Sequence, residues 1–279
     1  KYVDKYVGRS LNADGFRVVA VACRDIAPGA ASFSAADEAD LTLLGYIAFL
    51  DPPKTDVAPA LAALAASGVA VKVLTGDNAA IAGKICRDVG LDAARVCLGA
   101  EIDVLDDAAL GALAESVSVF AKVSPAQKAR IIVALQARGH VVGYLGDGIN
   151  DGPALKAADV GVSVDSAVDI AKESADIILL EKSLAVLQEG VIEGRKVFGN
   201  ITKYIKMGAS SAFGNMFSVL GASLFLPFLP MAPIQVLTNN LLYDFSQTTI
   251  PTDRVDAEYL AQPRKWEIGN LLRFMMVVG

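Results

Sequence analysis

Two aspartates, Asp147 and Asp151, enclose a glycine-rich turn within residues 146–155, whose sequence is GDGINDGPAL. The apolar run over residues 141–145 predicts a buried strand directly before this turn, and Asp151 stands where a helix would begin. A strand that delivers carboxylates to its carboxyl end suits a hard cation beside a phosphoryl group, and Mg²⁺ fits that chemistry. Because Gly, Asp and Asn also form ordinary surface turns, this interpretation depends on the residues that accompany the segment.

A candidate phosphate contact is the segment Thr75-Gly76-Asp77-Asn78, which follows the apolar stretch 69–74. A threonine hydroxyl and a glycine amide at the end of a strand can hold phosphate oxygens, and the next helix adds the positive end of its dipole. The alternative is a plain helix cap in which Asp77 or Asn78 serves as the N-cap. The segment alone does not distinguish between these two interpretations.

Lys128 is a third candidate site residue. Ser124, Pro125 and Gln127 supply an N-cap, a proline at the first helical position and a capping-box partner, and together they predict the start of a helix. Lys128 then lies in the first turn, where a cation opposes the helix dipole unless something anionic is close by. It is either a solvated surface lysine or a cation that faces an anionic group at the predicted sheet edge.

The end of the chain has the pattern of membrane helices. Residues 207–243 form a run of 37 residues without Asp, Glu, Lys, Arg or His. Because one membrane helix needs ~20 apolar residues, the run predicts two spans, residues 207–228 and 232–250, with a proline-rich turn between them. A third span is predicted to begin near Ile268. Basic residues flank the spans, and the positive-inside rule then predicts that residues 1–206 are cytoplasmic.

Asp244 is the one acidic residue within the two predicted spans, and an intramembrane carboxylate indicates a functional site. Asn240 lies one helical turn before it, on the same face, and Asn215 lies in the preceding span. Two amide oxygens and a carboxylate would form an oxygen site for a cation. The alternative for these groups is hydrogen bonding from helix to helix.

The composition excludes several classes of function. The net charge of −6 gives no reason to expect a nucleic-acid partner, although the chain is 53 % hydrophobic. The single histidine, His140, excludes histidine-based zinc sites and Ser–His catalysis, and it is expected to be structural. The three cysteines have no paired spacing, which is typical of a reducing compartment.

Strand and helix signals alternate through the middle of the chain, and this alternation predicts a parallel sheet with helices on both faces, a Rossmann-like α/β layout. A long amphipathic helix is predicted to follow the sheet and to run into the first membrane span. The predicted strands cover residues 15–22, 41–50, 69–74, 117–123, 140–145, 160–164 and 177–180, and the main predicted helices cover residues 79–89, 125–138 and 184–206.

Thr75, Lys128 and the Asp147/Asp151 pair occur in the order of three of the four motifs of the haloacid dehalogenase-like phosphotransferase fold, which this region resembles. The fourth motif is a nucleophilic aspartate after the first strand of the sheet. Asp51 follows an apolar strand signal, but prolines at the next two positions remove the amides that would cradle a phosphate. Asp51 is therefore expected in a structural turn at the edge of the cofactor-binding site.

Over nearly its whole length, the chain resembles a P-type ATPase. The motifs that carry the resemblance are DPPK at residues 51–54, TGDN at 75–78, KVSPAQK at 122–128 and GDGINDGPAL at 146–155. Residues 240–247, NLLYDFSQ, are most similar to the bacterial magnesium-transporting group. The resemblance implies ATP-driven Mg²⁺ import across the bacterial inner membrane through an aspartyl-phosphate intermediate. It implies ATP, a divalent cation, membrane lipid and the remaining N-terminal part of the same pump as partners, and no nucleic acid.

The resemblance also implies a division of the chain, which would then be a fragment of the pump. Residues 1–50 would close the nucleotide-binding domain, 51–183 would form the phosphorylation domain, 184–206 a stalk helix, 207–250 two transmembrane helices, 251–267 a cytoplasmic loop and 268–279 the start of a third transmembrane helix.

Site roles follow from the same resemblance. Asp147 and Asp151 would hold the catalytic Mg²⁺ with Asn150 beside them; Thr75, Gly76, Asp77 and Lys128 would contact the acyl phosphate; Asn215, Asn240 and Asp244 would line the transported-ion site. The Asp-Lys-Thr-Gly-Thr motif that carries the family's phosphorylated aspartate is absent from these residues. The phosphorylated residue would therefore lie upstream, and the chain alone is expected not to hydrolyse ATP.

Three other interpretations remain open. A P-type calcium or proton pump is the main alternative, since Asp244 fits a proton pump as well. A phosphatase of the dehalogenase fold could use Asp51 and keep the membrane hairpin as an anchor. A membrane subunit without enzymatic activity could also have this fold.

Overall fold

The computed structural model describes residues 16–24, 39–49 and 52–279. The described residues fall into two compact units, one within Lys1–Ala62 and Ala70–Val186 and the other formed by Ala63–Val69 and Leu187–Gly279. In the first unit, strands β1 (Arg17–Cys23) and β2 (Thr42–Phe49) form an antiparallel pair, in agreement with the two strands predicted at the start of the chain.

The remainder of the first unit alternates strands and helices, as predicted. Its strands form two separate three-stranded parallel sheets, with the orders β3-β5-β4 and β6-β7-β8. The elements are α1 (Val57–Ala66), β3 (Val73–Leu74), α2 (Ala79–Asp88), β4 (Val96–Leu98), α3 (Gly99–Asp103), α4 (Asp107–Ser116), β5 (Val119–Ala121), α5 (Pro125–Ala137), β6 (Gly143–Leu145), α6 (Gly152–Ala157), β7 (Val160–Val164), α7 (Asp169–Ser174) and β8 (Ile177–Leu179).

The predicted parallel pairing is confirmed, but these strands form two sheets and not the single sheet that was predicted. Within the described residues, β3 and β6 are both edge strands, each hydrogen-bonded to a neighbour on one side only. Strand β7 has the predicted bounds, but several other strands are shorter than predicted, because side chains take some of the backbone hydrogen bonds. The amide of Val142 donates to Asp159 Oδ2 at 2.7 Å, for example, so that β6 begins only at Gly143.

Strand β5 shows why the sheets have helices on both faces. Its three residues are completely buried, and successive side chains of a strand point to opposite faces. Phe120 packs in a cluster with Leu110 of α4 and Ile131 of α5. Val119, on the other face, packs with Cys86 of α2. The doubly covered layout predicted from the sequence is therefore confirmed for this strand.

The prediction of a continuous long helix is confirmed. Helix α8 runs from Leu184 to Phe225, over 42 residues, and ends just before the proline-rich turn. The second unit continues with α9 (Pro233–Gln247), α10 (Ala257–Leu260) and α11 (Ile268–Val278). Lys203 of α8 pairs with Asp253 at 2.7 Å. Asn200 donates to the carbonyl of Pro251 at 3.3 Å, so the predicted loop 251–267 lies against α8.

The two predicted membrane spans, residues 207–228 and 232–250, are not confirmed. Among the residues that the structure describes, no helix combines the length and the apolar character that a membrane crossing requires. Helix α9 has 15 residues, against the ~20 that a span needs. The second half of α8 is long enough, but Asn215 and several serines and glycines lower its hydropathy.

The paired strands β6 and β7 offer a test of this packing. A Cβ atom at Gly161 of β7 would lie 2.7 Å from the carbonyl oxygen of Leu155, which is backbone and cannot swing away. Gly161→Ala is expected to lower the free energy of unfolding by about 1–3 kcal/mol. A Cβ atom at Gly143 of β6 would lie 3.8 Å from its nearest neighbouring atom. Gly143→Ala is therefore expected to change the free energy of unfolding by no more than about 0.5 kcal/mol.

Urea unfolding of the chain, followed by circular dichroism, measures both variants. Equal unfolding free energies for Gly161→Ala and Gly143→Ala would show that Leu155 does not press on β7 as described.

Candidate active site

A buried ion pair lies at the centre of the candidate site. Lys128 Nζ is 2.8 Å from Asp151 Oδ1, and the two side chains are only 10 % and 13 % exposed. Ser124 and Gln127 form the predicted capping box, with Pro125 in the first turn, and the helix start places Lys128 in this position. The cation at the helix N-terminus, which the dipole disfavours, therefore has the anionic neighbour that the sequence suggested.

Two further donors hold Asp151. The hydroxyl of Tyr144 donates to Oδ1 at 2.7 Å, and the amide of Gly148 donates to Oδ2 at 3.0 Å. Burial acts to raise the pKa of Asp151, but the hydrogen bonds from Lys128, Tyr144 and Gly148 outweigh it, and the pKa lies below its ordinary value. Burial and the Asp151 charge raise the pKa of Tyr144, so that its hydroxyl remains a donor.

Gly146 is required by the close approach of this carboxylate. A Cβ atom at Gly146 would lie 2.6 Å from Cβ and 2.9 Å from Cγ of Asp151. Because Gly146 has no side chain, the 3₁₀ turn Ile149–Asp151 can fold back against the end of β6. Ser163 of β7 donates to the carbonyl of Gly146 at 2.8 Å, which ties this turn to the neighbouring strand.

Asp147 differs from Asp151 in its surroundings. Its side chain is 50 % exposed and is paired with Lys182 Nζ. Its carbonyl accepts a hydrogen bond from the amide of Val168 at 3.2 Å, at the start of α7. Asp147 therefore presents a carboxylate to solvent at the carboxyl end of β6, while the carboxylate of Asp151, four residues later, is buried.

The turn at Thr75 is built by local hydrogen bonds. The amide of Asp77 donates to Thr75 Oγ1 at 3.1 Å. Asn78 is the N-cap of α2, since its side chain accepts from the amide of Ile81 at 3.0 Å, and this resolves the choice between Asp77 and Asn78. The amide of Val123 donates to the carbonyl of Thr75 at 3.1 Å, which joins the turn to the segment that leads into α5.

The structure thus links the predicted phosphate and metal residues through one chain of contacts. The Thr75 turn is hydrogen-bonded to the segment after β5, where α5 begins. Lys128 of α5 binds Asp151, which belongs to the same turn as Asp147. Gly76 is exposed in the Thr75 turn, and Asn150 is exposed in the 3₁₀ turn. Asp51 lies outside the described residues.

The predicted transported-ion residues belong to the second unit. Asn215 lies on α8, and Asn240 and Asp244 lie on α9, one helical turn apart. All three are exposed, and none of them makes a side-chain hydrogen bond or an ion pair to another described residue. The joint cation site of Asn215, Asn240 and Asp244 therefore stays a prediction.

Sequence reasoning missed Tyr144 and Lys182. Tyr144 belongs to an apolar run, and its hydroxyl contact depends on the fold-back of Asp151. Lys182 follows strand β8, and the carboxyl ends of parallel strands share one edge of a sheet. Asp147 follows β6 at the same edge, so the position of Lys182 after β8 could have indicated from the sequence that the two side chains lie close together.

The donor set fits Mg²⁺ only if further ligands join it. Within the described part of the chain, no group of three or more His, Cys, Asp or Glu side chains is placed to hold a metal ion. Mg²⁺ commonly uses one or two carboxylates together with water and phosphate oxygens. The exposed carboxylate of Asp147 fits such a ligand, whereas Asp151 already accepts three hydrogen bonds from protein donors.

The lysine–aspartate pair and the exposed aspartate follow strands of an α/β unit at their carboxyl ends, the edge where ligands bind in such folds. The family model of the haloacid dehalogenase-like hydrolases matches residues 12–159. Since this match covers more than half of the chain, the chain belongs to the haloacid dehalogenase-like hydrolase family.

The resemblance to P-type ATPases is confirmed by individual relatives. The chain is 58 % identical over 275 residues to "Magnesium-transporting ATPase, P-type 1" of Escherichia coli K12. These residues make up 99 % of the chain and 31 % of that protein. A protein of the same name from Salmonella typhimurium is 58 % identical over 99 % of the chain and 30 % of that protein. The "Calcium-transporting ATPase" of Bacillus subtilis is 36 % identical over 85 % of the chain and 27 % of that protein. The chain therefore spans about a third of the length of these relatives.

The buried pair predicts a pH-dependent loss of stability. Asp151→Asn leaves the buried Lys128 cation without its counter-ion, and it is expected to lower the free energy of unfolding at pH 7 by about 3 kcal/mol or more. The folded pKa of Asp151 is depressed, so its stabilising contribution exists above the unfolded pKa of about 3.9 and is lost as pH falls through the folded pKa.

The measurement is urea unfolding of both proteins from pH 7 to pH 3. The difference between them should shrink below about pH 4. A difference that is constant over the whole range would contradict the assigned role of Asp151.

Proposed function

We propose that this chain is part of an ATP-driven magnesium transporter, a P-type ATPase that imports Mg²⁺ across the bacterial inner membrane. The observation that carries the proposal is the buried Lys128–Asp151 pair, whose aspartate lies in the same turn, residues 146–155, that presents the exposed carboxylate of Asp147. The names of the relatives at 58 % identity, which are magnesium-transporting ATPases, support the same class of activity.

The two edge strands support a nucleophile outside this chain. Within the described residues, β3 and β6 both lack a partner on one side, and each leads into a candidate site segment. We propose that a strand from the remainder of the protein pairs there and carries the phosphorylated aspartate at its carboxyl end. The chain alone is then inactive, and the phosphatase alternative with Asp51 as nucleophile is not needed.

In the proposed reaction, the carboxylate of the upstream aspartate accepts the γ-phosphoryl group of ATP and ADP leaves. Water later hydrolyses the aspartyl phosphate to aspartate and inorganic phosphate. Lys128 provides a fixed positive charge for the transferring group, because Asp151 holds its ammonium in place. The Thr75 hydroxyl and the Gly76 amide would bind phosphoryl oxygens, with Asp77 in the same turn. When bound, Mg²⁺ would neutralise negative charge on the phosphoryl group, held by Asp147 with Asp151 and Asn150 beside it.

The transported cation would bind in the second unit. We propose that Asp244, Asn240 and Asn215 supply oxygen ligands, and that the remainder of the protein covers these side chains. Asn240 and Asp244 are four residues apart on α9 and share a face, which supports a common ligand. Residues 207–250 would then lie in the membrane, with residues 1–206 on the cytoplasmic side.

Calcium or proton transport is the second candidate function. The relative named as a calcium-transporting ATPase matches 85 % of the chain at 36 % identity, which supports a pump of the same general build. The higher identity of the magnesium-transporting relatives favours Mg²⁺.

The full-length protein offers the test of function. At saturating Mg·ATP, free Mg²⁺ is expected to stimulate ATP hydrolysis, while added Ca²⁺ or a lower pH is not. Lys128→Met should reduce the stimulated rate by about 100-fold or more, because it removes charge stabilisation of the transferring group. Lys84→Met, which removes a lysine paired with Asp88 on the surface of α2, should have no such effect. Stimulation by Ca²⁺ alone would overturn the ion assignment, and equal rates for the two variants would overturn the role of Lys128.

The transported-ion site can be tested with adjacent residues of α9. Asp244→Ala is expected to abolish Mg²⁺ uptake by cells that express the full-length protein. Asn240→Ala should raise the Mg²⁺ concentration for half-maximal uptake, because Asn240 shares the face of Asp244. Asn239→Ala is the matched control, since Asn239 points to a different face of the same helix. Normal uptake by Asp244→Ala would refute the site.

A further inference from the structure

The two aspartates of the site each have their own lysine, in opposite environments. The Lys128–Asp151 pair is buried, with side chains that are 10 % and 13 % exposed. The Lys182–Asp147 pair faces solvent, with side chains that are 58 % and 50 % exposed. A buried pair resists dissociation because each charge would be left without water, whereas an exposed pair exchanges readily.

The main chain at Lys182 is held by hydrogen bonds, and the side chain is exposed. Its carbonyl accepts a hydrogen bond from Lys54 Nζ at 2.8 Å. The hydroxyl of the next residue, Ser183, donates to Asp56 Oδ2 at 3.1 Å. These contacts hold the backbone between β8 and α8, and none of them uses the Lys182 ammonium. The side chain can therefore leave Asp147 while its backbone remains in position.

We propose that Lys182 is an exchangeable counter-ion of Asp147, which competes with Mg²⁺ for the carboxylate and weakens metal binding at this site. The inference rests on the proposed function, in which Asp147 is a Mg²⁺ ligand. The Lys182 ammonium contacts Oδ2 of Asp147, and its positive charge repels a divalent cation that approaches either oxygen of the same carboxylate. Lys182 therefore opposes metal binding at Asp147 as long as it remains bound there.

The size of the effect follows from the exposure of the pair. Exposed ion pairs are worth a fraction of a kcal/mol to about 1 kcal/mol, so removal of Lys182 should tighten metal binding by about two- to five-fold. Lys182 acts through Asp147 and is a positioning residue. Asp151 is not subject to this competition, because its lysine remains bound to it.

Mn²⁺ binding to the full-length protein tests the inference without reference to turnover. Loss of the electron paramagnetic resonance signal of free Mn²⁺ gives the binding isotherm, and Asp147→Asn identifies the ions bound at this carboxylate. Lys182→Gln is expected to bind Mn²⁺ at this site about two- to five-fold more tightly than the wild type. Lys182→Arg, which keeps the charge, should bind like the wild type. Lys84→Gln, which removes the lysine of another ion pair in the same unit, should also bind like the wild type.

Salt provides a second readout that a purely structural role would not change. Because the pair is exposed, the difference between Lys182→Gln and the wild type should decrease as the concentration of a non-coordinating salt rises. Unchanged or weaker Mn²⁺ binding by Lys182→Gln would overturn the inference while leaving the proposed function intact. An Asp147→Asn isotherm identical to that of the wild type would instead overturn the metal assignment of the proposed function, and the inference with it.

Discussion

The ion pair between Lys128 and Asp151 is the interaction on which the candidate site depends. Two buried charges of opposite sign are tolerated only if they pair with each other and their remaining hydrogen-bonding groups have partners. Here Tyr144 and Gly148 donate the further hydrogen bonds to the Asp151 carboxylate. The pair joins α5, which follows the first parallel sheet, to the turn after β6 in the second sheet. It therefore fixes a positive charge at the turn that carries Asp147, where a phosphoryl group and its metal would meet in the proposed function.

Local signals in the sequence predicted the elements that place these charges. The Ser124 capping box fixed the start of α5 because its hydrogen bonds involve residues only three positions apart. The unfavourable position of Lys128 near a helix N-terminus correctly indicated an anionic partner. The alternation of strand and helix signals likewise indicated strands covered on both faces, and the side chains of β5 are buried on both of its faces.

Features that depend on distant parts of the chain were not predicted. Whether β3 and β6 pair with each other is decided by which strands are available, and no local pattern carries that information. Lys182 reaches Asp147 across 35 positions of sequence, and Tyr144 meets Asp151 only because Gly146 permits a close fold-back. The exposure of Asp244 has the same origin, because burial of a helix face depends on what packs against it.

The two lysine–aspartate pairs give the site one permanent and one exchangeable charge contact. The most direct test of this account is a structure of the full-length protein with Mg²⁺ and beryllium fluoride, a mimic of the phosphoryl group. The account predicts Mg²⁺ on the carboxylate of Asp147, the ammonium of Lys128 within hydrogen-bond distance of the fluoride, and the Lys128–Asp151 pair intact. Beryllium fluoride bound away from Lys128, or Mg²⁺ without a contact to Asp147, would contradict it.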